Sequence, residues 1–148
     1  STLEVKDALN WKTNMPVHVS QSILDFLKES PVELKYFKLE EFKCPCCGEV
    51  NMDQNFLIML DNARGIAGIP FKVTSGYRCD KRNAEVGGVS DSSHNKGMAA
   101  DIAVADGRAR FLVVSAAIKA GFTRIGIAKT FVHLDSDDSK DPSVVWLY

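Results

Sequence analysis

The chain has 148 residues, a net charge of −1 and 45% hydrophobic residues, which is ordinary for a soluble globular domain with a hydrophobic core. This charge balance argues against the basic surface of a nucleic-acid-binding protein, so we expect no nucleic-acid partner. No apolar run approaches the roughly 20 residues that span a bilayer, and no signal peptide is visible at the N-terminus.

The chain is weakly patterned from residue 1 to about residue 19. Residues 1–36 are predicted to form an arm or a short appended element, with a short helix from Ser20 to Lys28. Residues 37–148 are predicted to form the main domain. The clearest helix covers residues 54–67, because Asp53 is a good N-cap and apolar residues recur on one face up to Gly68.

Short strands are concentrated in the later half of the chain. We predict strands at residues 71–74, 101–104, 124–128, 131–135 and, at a sheet edge, 144–147. Two further helices are predicted over residues 80–86 and 106–119, the second carrying the apolar residues Phe111, Val114, Ala117 and Ile118. This order favours an α+β fold, with a small antiparallel sheet and helices packed mainly on one face.

Four cysteines leave several interpretations open. Cys44, Cys46 and Cys47 share one turn, and Cys79 stands alone. A second CxxC motif, which would complete a familiar four-thiolate zinc site, is missing. The turn is therefore compatible with reduced structural thiols, with a disulfide to Cys79, or with a partial metal knuckle.

Two histidines and an aspartate have the pattern of metal ligands. Asp101 begins an otherwise apolar strand, where a buried acid needs a partner or a metal. His133 and Asp135 share one strand face, and His94 lies in a loop rich in small residues. We predict that His94, Asp101 and His133 bind one catalytic zinc, with the fourth tetrahedral position left for water. Each residue alone has ordinary explanations, such as a core histidine or a strand-end hydrogen bond.

The conjunction of motifs is more specific than any one of them. A cysteine-containing turn and a helix are followed in order by SGYRC, NAEVGG, SxHxxGxAxDI and FVHLD, over about Phe37 to Asp135. This arrangement resembles the zinc D-Ala-D-Ala carboxypeptidase and endolysin superfamily, which includes the hedgehog and lysostaphin-type folds, and within it the compact phage- and bacteria-encoded branch. The resemblance implies a hedgehog-like peptidase fold, Zn²⁺ held by His94, Asp101 and His133, and cleavage of peptidoglycan stem peptides.

The resemblance also suggests which residues act beside the metal as general base and as substrate contacts. Relatives often place an acid three residues before the last ligand, but this chain has Thr130 there. Asp135, two residues after the ligand, is our prediction for the general base, with orientation of His133 or metal binding as alternatives. Arg78 is predicted to hold a substrate carboxylate or stabilise the oxyanion, the alternative being a structural salt bridge. Ser93 is predicted to contact substrate, or else to cap its turn.

Three classes of function compete. A zinc peptidase acting on peptidoglycan, as a D-Ala-D-Ala carboxypeptidase or an endolysin-type endopeptidase, is the preferred hypothesis. A non-catalytic cell-wall-binding protein is the second, and a phage structural protein is the third. For the peptidase we expect a monomer that is either cytoplasmic in the producing cell with release to the cell wall or associated with virions.

Overall fold

The computed structural model of the protein describes residues 33–148, so the predicted helix from Ser20 to Lys28 and most of the predicted arm lie outside the described residues. A short 3₁₀ turn, Leu39–Phe42, comes first. The elements that follow in chain order are α1 (Gln54–Ala67), β1 (Val73–Ser75), α2 (Asp80–Glu85), β2 (Ala99–Ala103), α3 (Gly107–Ala120), β3 (Arg124–Ile127), β4 (Phe131–Asp135) and β5 (Val144–Leu147). None of these helices is long and apolar enough to cross a membrane.

Helix α1 has the limits that its sequence predicts. The Asp53 side chain accepts a hydrogen bond from the Phe56 backbone amide, which satisfies one of the free N–H groups of the first turn. Gly68 ends the helix in the left-handed region, with φ of 72°. The buried face consists of Phe56, Leu57, Leu60 and Ala63.

Helix α3 starts at its predicted cap, Asp106, but presents a different face to the core from the one its bulkiest residues suggest. Phe111 is 68% exposed and Ile118 is 57% exposed. The buried residues are Val113, Ala116 and Ala117. Helix α3 packs against α1 and β4 with these smaller residues, which allow a close approach, so the larger side chains lie outside.

The five strands form one sheet in the order β1-β2-β4-β3-β5, and the α+β class is confirmed. The first four strands pair in antiparallel fashion, but β5 runs parallel to β3. The sheet is therefore mixed rather than purely antiparallel. The parallel pair arises because residues 136–143 carry the chain from β4 to the far side of β3.

The two faces of the sheet have opposite character. Ile102, Ile125, Val132 and Leu134 belong to the hydrophobic core, together with residues of α1 and α3. Side chains alternate along a strand, so Asp101 on β2 and His133 and Asp135 on β4 lie on the other face. Helices α1 and α3 cover the apolar face, and the polar face carries the candidate site.

Candidate metal centre

Three side chains converge on the polar face of the sheet. His94, Asp101 and His133 are buried at this point, and one ligand atom from each lies within 4.8 Å of the other two. The Asp101 Oδ1 atom is 3.5 Å from His94 Nε2 and 3.0 Å from His133 Nδ1. The structure therefore brings together all three residues that the sequence predicts as metal ligands.

The pairing of β2 with β4 positions two of the three predicted ligands, Asp101 and His133. Asp101 on β2 is directly opposite His133 on β4, so both side chains leave the sheet on the same face and at the same level. Gly126 on β3 is the next partner of His133 across the sheet. Because Gly126 has no side chain, the space beside His133 is open to the aromatic rings of Trp146 and Tyr148.

The third histidine comes from the loop between α2 and β2 and is held by backbone contacts. His94 Nδ1 lies 2.8 Å from the Gly76 carbonyl oxygen, so it donates its proton there and leaves Nε2 to face Asp101. The His94 carbonyl in turn accepts a hydrogen bond from the Arg78 amide at 3.2 Å. These contacts tie the histidine loop to the segment that follows β1.

His133 is oriented by a second carboxylate behind it. Its Nε2 atom is 2.7 Å from Asp135 Oδ2, on the opposite side of the ring from Asp101. Asp135 is 1% exposed, and its Oδ1 atom accepts hydrogen bonds from Arg124 Nε at 2.7 Å and from the Asp137 amide at 3.2 Å. A carboxylate on the far nitrogen of a ligand histidine fixes the ring and its tautomer.

The electrostatics favour charged carboxylates around this centre. Burial raises the pKa of Asp101, but hydrogen bonds from His133 and His94 outweigh burial and hold that pKa at about 2. Burial likewise raises the pKa of Asp135, and His133, the Asp137 amide and Arg124 bring it below its ordinary value. Burial lowers the pKa of His133, but Asp101 and Asp135 raise it above its ordinary value.

The donor set and its spacing fit a zinc ion. Two imidazole nitrogens and one carboxylate oxygen are ligands that Zn²⁺ takes in catalytic sites, with a fourth position for water. Bonds of about 2.0–2.1 Å in a tetrahedron separate neighbouring donors by about 3.3 Å. The observed separations of 3.5 and 3.0 Å from Asp101 Oδ1 bracket that value.

A cavity of ≈ 320 Å³ opens beside His94 and His133, and Asp101 lines a second cavity of ≈ 570 Å³. The lining of the smaller cavity includes His94, His133 and Arg78, so an extended substrate can reach the centre from this side. Arg78 Nη1 donates to Asn83 Oδ1 at 3.2 Å, while its buried Nε has no hydrogen-bond partner within residues 33–148. Among the residues that the structure describes, Arg78 has no salt bridge, which leaves its charge available to a ligand.

Ser93 lies in the wall of the smaller cavity but is engaged by protein. Its hydroxyl donates to Asp137 Oδ2 at 2.7 Å and accepts from Lys140 Nζ at 3.2 Å. Lys96 Nζ also binds Asp137 Oδ2, at 2.9 Å. These contacts anchor the histidine loop to the segment after β4. Substrate contact by Ser93 stays a prediction.

Several residues of the site were missed by sequence reasoning. Arg124 stacks over the Trp146 ring at 5.0 Å while holding Asp135, and the Trp146 ring lies 5.5 Å from the His133 ring. Tyr148 lies 6.4 Å from the same ring. A signal was present, since Trp146 and Tyr148 alternate on β5 and its end, but their closeness to His133 depends on the parallel pairing of β5 with β3.

Fold and site together define a class of protein. An α+β domain with two histidines and an aspartate on a sheet face, beside an open cavity, has the form of a metal-dependent hydrolase. Residues 35–135 match the Peptidase M15 family, and the chain belongs to that family. The comparison with curated proteins gave no match. The family supports a peptidase, and the matched range contains every residue of the predicted metal centre.

Proposed function

We propose that this protein is a zinc-dependent peptidase that hydrolyses peptide bonds in the stem peptides of peptidoglycan. The observation that carries the proposal is the convergence of His94 Nε2, Asp101 Oδ1 and His133 Nδ1 beside an open cavity. Membership of the Peptidase M15 family supports hydrolysis of peptides. The stem-peptide substrate rests on the likeness of SGYRC, SxHxxGxAxDI and FVHLD to the cell-wall peptidases.

The three ligands would hold Zn²⁺ through these atoms. When bound, the ion supplies an acidified water with a pKa near 7 and polarises the scissile carbonyl. The Gly76 carbonyl occupies Nδ1 of His94 and Asp135 occupies Nε2 of His133, so the nitrogen of each ring that faces Asp101 would be the atom that binds the metal.

Arg78 is proposed to act on the substrate. Its guanidinium lines the cavity with one buried nitrogen unpaired within the described part of the chain, and burial lowers its pKa while Asp101 raises it. A guanidinium stays protonated at any working pH, so it offers a charge to a substrate carboxylate or to the developing oxyanion. Either contact positions the peptide next to the three ligands.

Asp135 has two proposed roles, as the general base and as the group that orients His133, and its contacts favour the second. The predicted general base must reach the nucleophilic water, whereas both oxygens of Asp135 are engaged by His133, Arg124 and the Asp137 amide. These contacts favour an orienting role for His133. The role as base stays a prediction, and replacement by asparagine separates the two.

Digestion of purified peptidoglycan tests the proposed function. Wild-type protein with Zn²⁺ is expected to release peptide fragments with new amino termini, identified by mass spectrometry, and a chelator should stop the release. His94→Ala and Asp101→Asn should lose the activity, because each removes a ligand. Asp91→Asn, on an exposed loop residue close to His94 in sequence, is the matched control and should keep it.

A second candidate is binding of the cell wall without turnover. The position three residues before His133 is Thr130, which has no carboxylate to act as a base. Under this alternative the zinc-loaded protein would co-sediment with peptidoglycan and release no fragments. Such a result would overturn the peptidase proposal and leave the metal centre as a binding site.

A further inference from the structure

A second group of metal-ligand side chains lies away from the catalytic centre. The Sγ atoms of Cys44, Cys46, Cys47 and Cys79 all lie within 4.8 Å of one another. Cys44 Sγ is 3.7 Å from Cys46 Sγ and 3.6 Å from Cys79 Sγ, and Cys46 Sγ is 3.2 Å from Cys79 Sγ. We call these four residues the thiol cluster.

The spacing of the thiol cluster is close to that of a tetrahedral thiolate site. Zinc–sulfur bonds of about 2.3 Å place neighbouring sulfurs about 3.8 Å apart in a tetrahedron. The three separations that involve Cys44, Cys46 and Cys79 are at or slightly below that value. The four thiols are free, and a single disulfide would leave two thiols unused in the same cluster.

The local backbone is built to gather the thiols. The Cys44 amide donates to the Glu49 carbonyl at 2.8 Å, and the Gly48 amide donates back to the Cys44 carbonyl at 2.8 Å. Gly48 has φ of 76°, which closes the turn tightly. Cys79 comes from a separate segment, where it is the N-cap of α2, and its sulfur accepts a hydrogen bond from the Arg82 amide at 3.5 Å.

We propose that Cys44, Cys46, Cys47 and Cys79 bind one Zn²⁺ as a four-thiolate structural site. Four protein ligands close the coordination sphere and leave no position for water, unlike the three ligands of the His–Asp centre formed by His94, Asp101 and His133. Thiolates are the soft ligands that zinc retains best, and binding would release the thiol protons to solvent. The site needs no second CxxC, because Cys79 supplies the fourth sulfur.

The thiol cluster would brace the segment that orients the catalytic histidine. Cys79 directly follows the run in which Gly76 accepts from His94 Nδ1 and Arg78 donates to the His94 carbonyl. The Tyr77 amide of the same run donates to the Phe42 carbonyl at 2.8 Å, just before the cysteine turn. A metal that joins Cys44 to Cys79 would tie the end of this run to the cysteine turn that follows Phe42.

Metal content of the full chain, purified under reducing conditions with Zn²⁺, tests the proposal. The wild type should hold about two zinc ions, and His94→Ala and Cys46→Ser should each hold about one. His94→Ala is the matched control, because it removes a ligand of the other centre only. A wild-type content that Cys46→Ser leaves unchanged would overturn the proposal.

Cobalt substitution in the His94→Ala variant covers the case in which a cysteine variant fails to fold. Co²⁺ bound by four thiolates gives an intense sulfur-to-cobalt charge-transfer band in the near ultraviolet, which nitrogen and oxygen ligands do not give. We expect that band at one equivalent, and its loss on adding Zn²⁺. An absent band, or a disulfide within the thiol cluster of the reduced, zinc-treated protein, would overturn the proposal. These results do not depend on the peptidase assay.

Discussion

The His–Asp centre and the thiol cluster gather metal-ligand side chains in opposite ways. Asp101 and His133 stand on paired strands inside one sheet, and their site opens to a cavity. The thiol cluster uses one tight turn and a helix N-cap, and it offers four ligands instead of three. Under the two proposals the roles differ as well, because three ligands leave a position open for water and substrate whereas four ligands close the coordination sphere of a structural site.

Replacing Asp135 should affect the His–Asp centre most strongly while sparing the thiol cluster. Asp135→Asn keeps the size of the side chain but not its charge, whether that charge serves as base or orients His133. We expect peptidoglycan cleavage to fall by about 10²–10⁴ if Asp135 is the general base, and by about 10–100-fold if it orients His133. Wild-type turnover would exclude both roles.

Zinc affinity then separates the two roles of Asp135. A pure base leaves zinc binding unchanged, whereas an orienting group at His133 Nε2 should weaken it about 10–100-fold. Titration with a competing chelator measures that affinity. Asp138→Asn, at an exposed aspartate nearby, is the control and should match the wild type in both measurements.

Arg78 and Cys79 are adjacent in sequence, but replacing Arg78 should affect the cleavage rate and replacing Cys79 should affect the melting temperature. Arg78→Ala removes a cavity-lining charge with no salt-bridge partner among the described residues, so cleavage should fall by about 10² or more with the melting temperature kept. Cys79→Ser should lower the melting temperature. Steady-state kinetics and thermal unfolding of both variants measure the contrast, and an unchanged rate in Arg78→Ala would return that residue to a structural role.

Gly97 lies against the backbone of Asn51 and should be sensitive to a single added methyl group. Its φ is 72°, and an added Cβ would clash with the Asn51 carbonyl, shortly after the cysteine turn. Gly97→Ala should therefore lower the free energy of unfolding by about 2–3 kcal/mol. Gly107 has open space around its Cβ position, so Gly107→Ala is the control and should cost little. Equal denaturation midpoints would contradict the predicted clash.

Asp137 should give the smallest effect, visible as pH-dependent stability. Burial raises its pKa, but hydrogen bonds from Ser139, Ser93 and Lys96 bring the pKa well below its ordinary value. The folded state therefore gains stability above the unfolded pKa of about 4 and loses it as the pH falls below that value.

The variant Asp137→Asn isolates this contribution. At neutral pH it should be less stable than the wild type by on the order of 2 kcal/mol, and the difference should shrink as the medium becomes acidic. Chemical denaturation across pH 2–7 measures both curves. A difference that does not vary with pH would show that the charge of Asp137 contributes nothing.

Local patterns were enough to predict most of the fold and the three residues that the structure brings together on the polar face of the sheet. The caps of α1 and α3 are short-range signals, and Asp53 and Asp106 both act as predicted. The three ligands lie within motifs whose order is specific, and the structure brings them together. These features depend on residues close in sequence or on a known likeness.

The features that were missed depend on long-range register. Arg124 meets Asp135 only because β3 and β4 pair in one register, and Trp146 reaches His133 only because β5 returns parallel to β3. The sequence left a pairing of Cys79 with the cysteine turn open as one alternative, and it could not decide the matter because Cys79 is 35 residues from Cys44. The periodicity of the sequence does not predict such long-range contacts.

Anomalous X-ray scattering from crystals grown with Zn²⁺ tests the central claim most directly. Data collected on both sides of the zinc absorption edge should show a peak about 2 Å from His94 Nε2, the Asp101 carboxylate and His133 Nδ1. Zinc-saturated crystals with no peak among these three residues would contradict the proposed catalytic centre.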